Sequence, residues 1–142
     1  MSDEFSKKRV KERDFVKDGE IVTDNIHNLL WEDTRKSKTI KQSFANSDSY
    51  CDNLSLAEYS SGWRVPTTKE LSSLINLSND NPAIATATAF TNTAYNDAYW
   101  TNDQQAKLES SQWNINFQDG VINLSGKNDT SFDQYVRCVR DK

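Results

Sequence analysis

The chain has 142 residues, 35% hydrophobic and 27% charged, with a net charge of −4. That length suits one domain able to bury its own core, and no apolar run approaches what a membrane-spanning helix needs. The acidic balance argues against nucleic acid, or a sulfated glycan held by this domain alone, because such partners are held by a basic stripe.

Residues 1–18 form a charged segment in which the basic cluster over 7–17 is interleaved with Glu12 and Asp14. It reads as a tail or a solvated helix ahead of a domain over 19–142. No apolar signal-peptide core follows Met1, which leaves a cytoplasmic chain or an exported one whose leader is absent from the sequence. Residues 20–23 and 28–32 read as short strands around an Asp24-Asn25 turn, and His27, the single histidine, sits in that turn as a surface or packing residue.

A helix is predicted over 39–56, where Ile40, Phe44, Ser47, Cys51 and Leu54 recur on one face and aim Cys51 at the core. A second follows Pro66: Thr67 and Glu70 have capping-box spacing, and Leu71, Leu74 and Ile75 supply the apolar stripe. Residues 76–98 read as a long loop with a short helical turn around 83–90. Strands return over 98–101 and over 112–117, where Trp113, Ile115 and Phe117 alternate with Asn114 and Asn116. Asp119-Gly120 signals a hairpin back into 121–124. The last strand, 135–140, is apolar on both faces, as a central strand covered on both sides would be.

The fold class expected is α+β, two helices packed on antiparallel sheets with long loops. Cys51 and Cys138 are the only cysteines and are too few, with His27, for a zinc site. The residues alone leave two readings open, a pair of buried thiols or one long-range disulfide.

The landmarks, taken in order, resemble a known family. Ile21-Val22-Thr23-Asp24-Asn25 is followed by Leu29-Leu30-Trp31, Tyr50-Cys51-Asp52-Asn53-Leu54, and Gly62-Trp63-Arg64-Val65-Pro66-Thr67 with Glu70-Leu71. Then come Asn81-Pro82-Ala83-Ile84, Phe90, Tyr99-Trp100-Thr101, Trp113 with Phe117 and Gly120, and Tyr135-Val136-Arg137-Cys138-Val139-Arg140. Over roughly 19–140 this resembles the bacterial family best known as the C-terminal domain of the Legionella collagen-like adhesin. The resemblance implies a C-type-lectin-like fold, a Cys51–Cys138 disulfide between the first helix and the final strand, and an exported protein in which such a bond persists. The Glu-Pro-Asn motif of calcium-dependent lectins is absent, and Trp113-Asn114-Ile115 only partly matches their Trp-Asn-Asp. Calcium-dependent sugar binding is therefore not implied.

No Gly-x-Ser-x-Gly elbow, His-Glu-x-x-His helix or phosphate loop is present, and no cofactor is expected. The reading is a non-enzymatic binding or adhesion module of the bacterial envelope, holding a glycan or protein partner through loops over 79–112. The alternatives are an accessory envelope protein assembling through its N-terminal segment and, behind it, a hydrolase. Trp31, Trp63, Trp100 and Trp113 are expected in the core, with Arg64 beside them and Arg64, Arg137 and Arg140 making structural bonds. Asn92, Tyr95, Asn96, Asp97, Asn102 and Asp103 are the candidate ligand contacts. Tyr95 is the exposed-aromatic candidate, and Asn96, Asp97, Asn102 and Asp103 offer oxygens of the kind calcium takes.

Overall fold

The computed structural model describes residues 13–75, 84, 89–103, 111–126 and 133–142, the side chains of 111–112 and 124–126 excepted. The first sheet is β1 (Phe15–Asp18), β2 (Ile21–Asp24), β3 (Leu29–Glu32) and β9 (Val139–Asp141), in the order β1-β2-β3-β9. The second holds β4 (Lys41–Gln42), β5 (Tyr99–Trp100), β6 (Ser111–Ile115), β7 (Ile122–Gly126) and β8 (Gln134–Tyr135), in the order β4-β8-β5-β6-β7. Three short helices are described: α1 (Lys36–Thr39), α2 (Phe44–Asp52) and α3 (Thr68–Ser72). The fold is α+β and mostly sheet. Its pairings are antiparallel except β5 with β8, which is parallel.

Local chemistry explains the first hairpins. The two-residue turn between β1 and β2 places Gly19 at φ +61° in its first central position, as a type II′ hairpin requires. Between β2 and β3, the buried Asp24 carboxylate accepts the backbone N–H of Ile26 at 3.0 Å and of His27 at 3.1 Å and contacts His27 Nδ1 at 2.7 Å. Asn28 closes that loop at φ +56°, where asparagine is tolerated. β1 comes from the segment expected to be a tail or solvated helix. Phe15 explains the difference, since its ring packs edge-on to Phe90 at 5.2 Å and draws the strand onto the core.

The helix predicted over 39–56 is two helices separated by β4. Lys41 and Gln42 are drawn into the second sheet by pairing with β8, and Ser43 restarts the helix by accepting the Asn46 N–H. Ile40 is consequently 45% exposed rather than part of the buried stripe, whereas Ser47 and Cys51 are buried. The helix ends at Asn53, so Leu54 and Leu56 pack from the turn that follows. α3 has the full capping box: Thr67 Oγ1 accepts Glu70 N–H, and the Glu70 carboxylate accepts Thr67 N–H.

The single strand predicted over 135–140 is also divided. Tyr135 belongs to the second sheet and Val139 to the first, and residues 136–138 cross between them. That crossing explains apolar residues on both faces, because the segment is buried by both sheets. Cys138 lies on it and is bridged to Cys51 of α2, with Cα atoms 5.5 Å apart. Two apolar clusters result, one around Trp31, Phe90, Tyr99 and Phe117, the other around Trp63, Trp100 and the cystine. Trp113 is only partly buried. Arg64 is not a core residue; its side chain is 39% exposed and ion-paired with Glu70 and Asp141. Of the helical turn predicted over 83–90, residues 83 and 85–88 lie outside the described residues, and Ile84 makes an extended bridge to Ile75.

Candidate functional site

The described part of the predicted recognition loop, residues 89–97, rests on a buried polar clamp. Asp33, at the end of β3, has a fully buried side chain that takes Lys17 Nζ from β1 as an ion pair. It also accepts Thr91 Oγ1 at 3.1 Å, Asn92 N–H at 3.0 Å and Arg137 Nη1 at 3.0 Å. Arg137, from the crossing segment, is itself fully buried. Its guanidinium donates to Glu32 O at 2.9 Å, Asn92 O at 2.7 Å and Thr93 Oγ1 at 2.7 Å, and lies over the rings of Phe90 (4.9 Å) and Tyr99 (5.7 Å). The contacts of Phe90, Thr91, Asn92 and Thr93 tie the loop to Asp33 and Arg137 of the frame.

Burial alone would push the Asp33 carboxyl up, but Lys17, Arg137 and the Asn92 N–H together hold it below the usual carboxylate range. The charged form is thus the one that the clamp stabilises. Beside it, the buried Glu32 carboxylate accepts Tyr50 Oη, Thr34 Oγ1 at 2.6 Å and Cys138 N–H at 3.1 Å. Burial, with the Glu32 charge second, pushes the Tyr50 phenol up and keeps it a donor.

The six candidate contacts separate into two groups at opposite ends of β5. On one side, Asn92 is spent on the clamp, its amide donating to Asp33 O at 2.9 Å. Tyr95 is half-buried, packs on the first apolar cluster, and has its phenol pushed up by burial. Asn96 is exposed and accepts Tyr135 Oη at 2.8 Å, while Asp97 pairs with Lys41 at 3.1 Å and accepts the Ala98 N–H. On the other side, Asn102 N–H reaches Pro66 O at 2.8 Å, and Asp103 accepts both N–H and Oγ1 of Thr68 at the start of α3. The five residue steps from 97 to 102 pass through β5 and span on the order of 15 Å, so Asn96, Asp97, Asn102 and Asp103 do not gather into one calcium cage. Among the described residues, no group of three or more His, Cys, Asp or Glu stands where it could hold a metal ion.

Residues 20–140 match the family model described as the Lcl C-terminal domain. The chain belongs to this family. No curated protein matches the chain. In this Lcl C-terminal domain the surface offered by Tyr95, Asn96 and Asp97 is contiguous in sequence and set on the clamp, whereas Asn102 and Asp103 serve to fasten α3 to the sheet. Residues 79–83, 85–88 and 104–110 of the predicted 79–112 contact region lie outside the described residues. The clamp residues Lys17, Asp33, Thr91 and Thr93 carry no sequence signal of their own. Only Arg137, a cation between apolar residues of the last strand, marks its position.

Proposed function

We propose that this Lcl C-terminal domain is a non-enzymatic binding module of an exported bacterial protein that presents the loop surface over 79–112 to a glycan or protein partner. The observation that carries the reading is the clamp itself. Two buried ionised groups and their hydrogen bonds hold a short polar loop against a frame braced by a disulfide, which favours a preformed recognition surface. Tyr95 supplies an apolar face, and Asn96 and Asp97 supply amide and carboxylate groups. A C-type-lectin-like topology is supported by the first and last strands sharing one sheet, and by the bond from α2 to the segment entering β9. The same bond supports export, since a cystine persists in oxidising compartments.

The test is a screen of the immobilised chain against oligosaccharides and secreted proteins, repeated with Tyr95→Ala and Asn96→Ala. Loss of about tenfold or more in affinity for a hit, with an unchanged melting temperature, supports the reading. A hit untouched by both variants places recognition elsewhere.

A second reading, assembly through the N-terminal segment, is favoured by one observation. β1 is an edge strand, and Val16 on it is 51% exposed. Val16→Lys, which charges that exposed edge, would lower the oligomeric mass if β1 drives assembly.

A further inference from the structure

A groove lies between two hairpin tips, outside the 79–112 surface. One tip is the β1–β2 turn, Asp18-Gly19-Glu20; the other is the tight turn Leu56-Ala57-Glu58-Tyr59, closed by reciprocal hydrogen bonds of 3.1 and 2.9 Å between Leu56 and Tyr59. The volume between them is about 450 Å³. Its floor is largely apolar: Ile21, Leu30 and Leu56, each at most 9% exposed, line it with Thr23. Its rim is acidic. Asp18, Glu20 and Glu58 are exposed, and among the described residues none of their side chains has an ion-pair or hydrogen-bond partner. Two basic side chains on the flanking elements are committed elsewhere, Lys17 to Asp33 and Arg140 to Ser61 O and the Tyr59 ring.

We propose that this groove receives a lysine or arginine side chain of a protein partner. An apolar floor beneath carboxylates that have no partner among the described residues matches a side chain with a hydrocarbon stem and a cationic head. The stem covers Leu30 and Leu56, and the head reaches Glu20 and Glu58 from the two tips. Glu20 and Leu56 also line an adjoining depression that ends at Arg35 and Lys36. That basic end repels a second cation, so the groove selects a basic residue with neutral or acidic neighbours. The site shares no residue with the loop surface proposed above, and each can fail without the other.

The test is an NMR titration of the labelled chain at low salt with an acetylated, amidated Gly-Lys-Gly peptide, with Gly-Glu-Gly as control. Saturable shifts are expected at the amides of Gly19, Glu20, Ala57 and Glu58. Glu20→Gln with Glu58→Gln should weaken binding by roughly 2- to 20-fold, the range for two exposed ion pairs. Asp48→Asn with Asp119→Asn removes as much charge from exposed positions elsewhere and should leave affinity unchanged. The same peptide with diaminobutyric acid in place of lysine, titrated at a pH where both amines are protonated, is equally charged but shorter in the stem and should bind several-fold more weakly. Equal loss in both double variants would reduce the effect to general attraction by an acidic chain and overturn the proposal. Equal binding of the short-stemmed peptide, no saturable shift at the two tips, or a preference there for a neutral oligosaccharide would overturn it too.

Discussion

Replacing Arg137 by Met tests the clamp, because methionine keeps much of the aliphatic bulk and removes only the guanidinium. The buried carbonyls of Glu32 and Asn92 and the hydroxyl of Thr93 lose their donor, and Asp33 keeps Lys17 as its one cation. Removing one partner of a buried pair costs about 3–5 kcal/mol, most of it from groups left unpaired. For a chain of this length that lowers the melting temperature by roughly 10–15 °C. Lys17→Met removes the other cation, but the Lys17 side chain is 29% exposed and its contribution is screened. About 1 kcal/mol is expected there. Adding Asp33→Asn to Arg137→Met should recover part of the loss, since the amide oxygen still accepts from Asn92 and position 33 no longer carries a buried charge. Urea denaturation of the four proteins measures all of this. A loss under about 1 kcal/mol for Arg137→Met, or equal losses for Arg137→Met and Lys17→Met, would refute the clamp as the loop's anchor.

Reducing the Cys51–Cys138 bond, which spans 87 positions, should cost about 4–5 kcal/mol by loop-closure entropy. Intact mass rising by about two daltons, for two protons gained, together with a much lower melt would show it; an unchanged melt would not fit. Both Asp33 and Glu70 are held below the usual carboxylate range. For Glu70, burial alone would push it up, but Arg64 and Thr67 outweigh that. Their contribution is therefore complete above the unfolded carboxylate values near pH 4 and is lost as pH falls through the lower folded values. Melting temperature should stay level from about pH 7 to 5 and drop below about pH 4, with a shallower acid limb in Asp33→Asn. Thr67→Ala removes the acceptor for Glu70 N–H and should cost about 1 kcal/mol; a neutral result by urea denaturation would mean the box contributes nothing.

Local signals in the sequence were reliable where one short segment carries its own reason. The Thr67–Glu70 capping box and the 119–120 turn are such cases: Gly120 takes φ +75° between β6 and β7. Signals failed where tertiary pairing overrode periodicity. Ile40 and Phe44 have helical spacing, yet Lys41 and Gln42 lie between them in a strand, because β8 offers an unpaired edge that no local pattern announces. The same blindness made one strand of residues 135–140, since apolarity on two faces reads alike for a central strand and for a crossing between two sheets. Of the proposed contact surface, Tyr95, Asn96 and Asp97 stand out in the sequence only by the polar composition around Tyr95. The clamp beneath them does not stand out, because Lys17, Asp33 and Arg137 are brought together from strands that share no sequence neighbourhood.

The crossing segment concentrates three restraints within two residues. Arg137 holds the loop, the Cys138 N–H donates to the buried Glu32 carboxylate, and the Cys138 sulfur is bonded to α2. A loop fastened at such a point cannot open alone, because releasing Asn92 or Thr93 requires uncovering Arg137, and Arg137 is covered by both sheets. Residues 90–94 should consequently exchange their hydrogen-bonded amides only through global unfolding, unlike the tips at Gly19 and Glu58, which are held by single hairpins. The two proposed surfaces therefore differ in kind. On the proposed reading, residues 90–94 are held in place before a partner arrives and bind with little ordering cost, while the groove lies between two tips each held by one hairpin or turn.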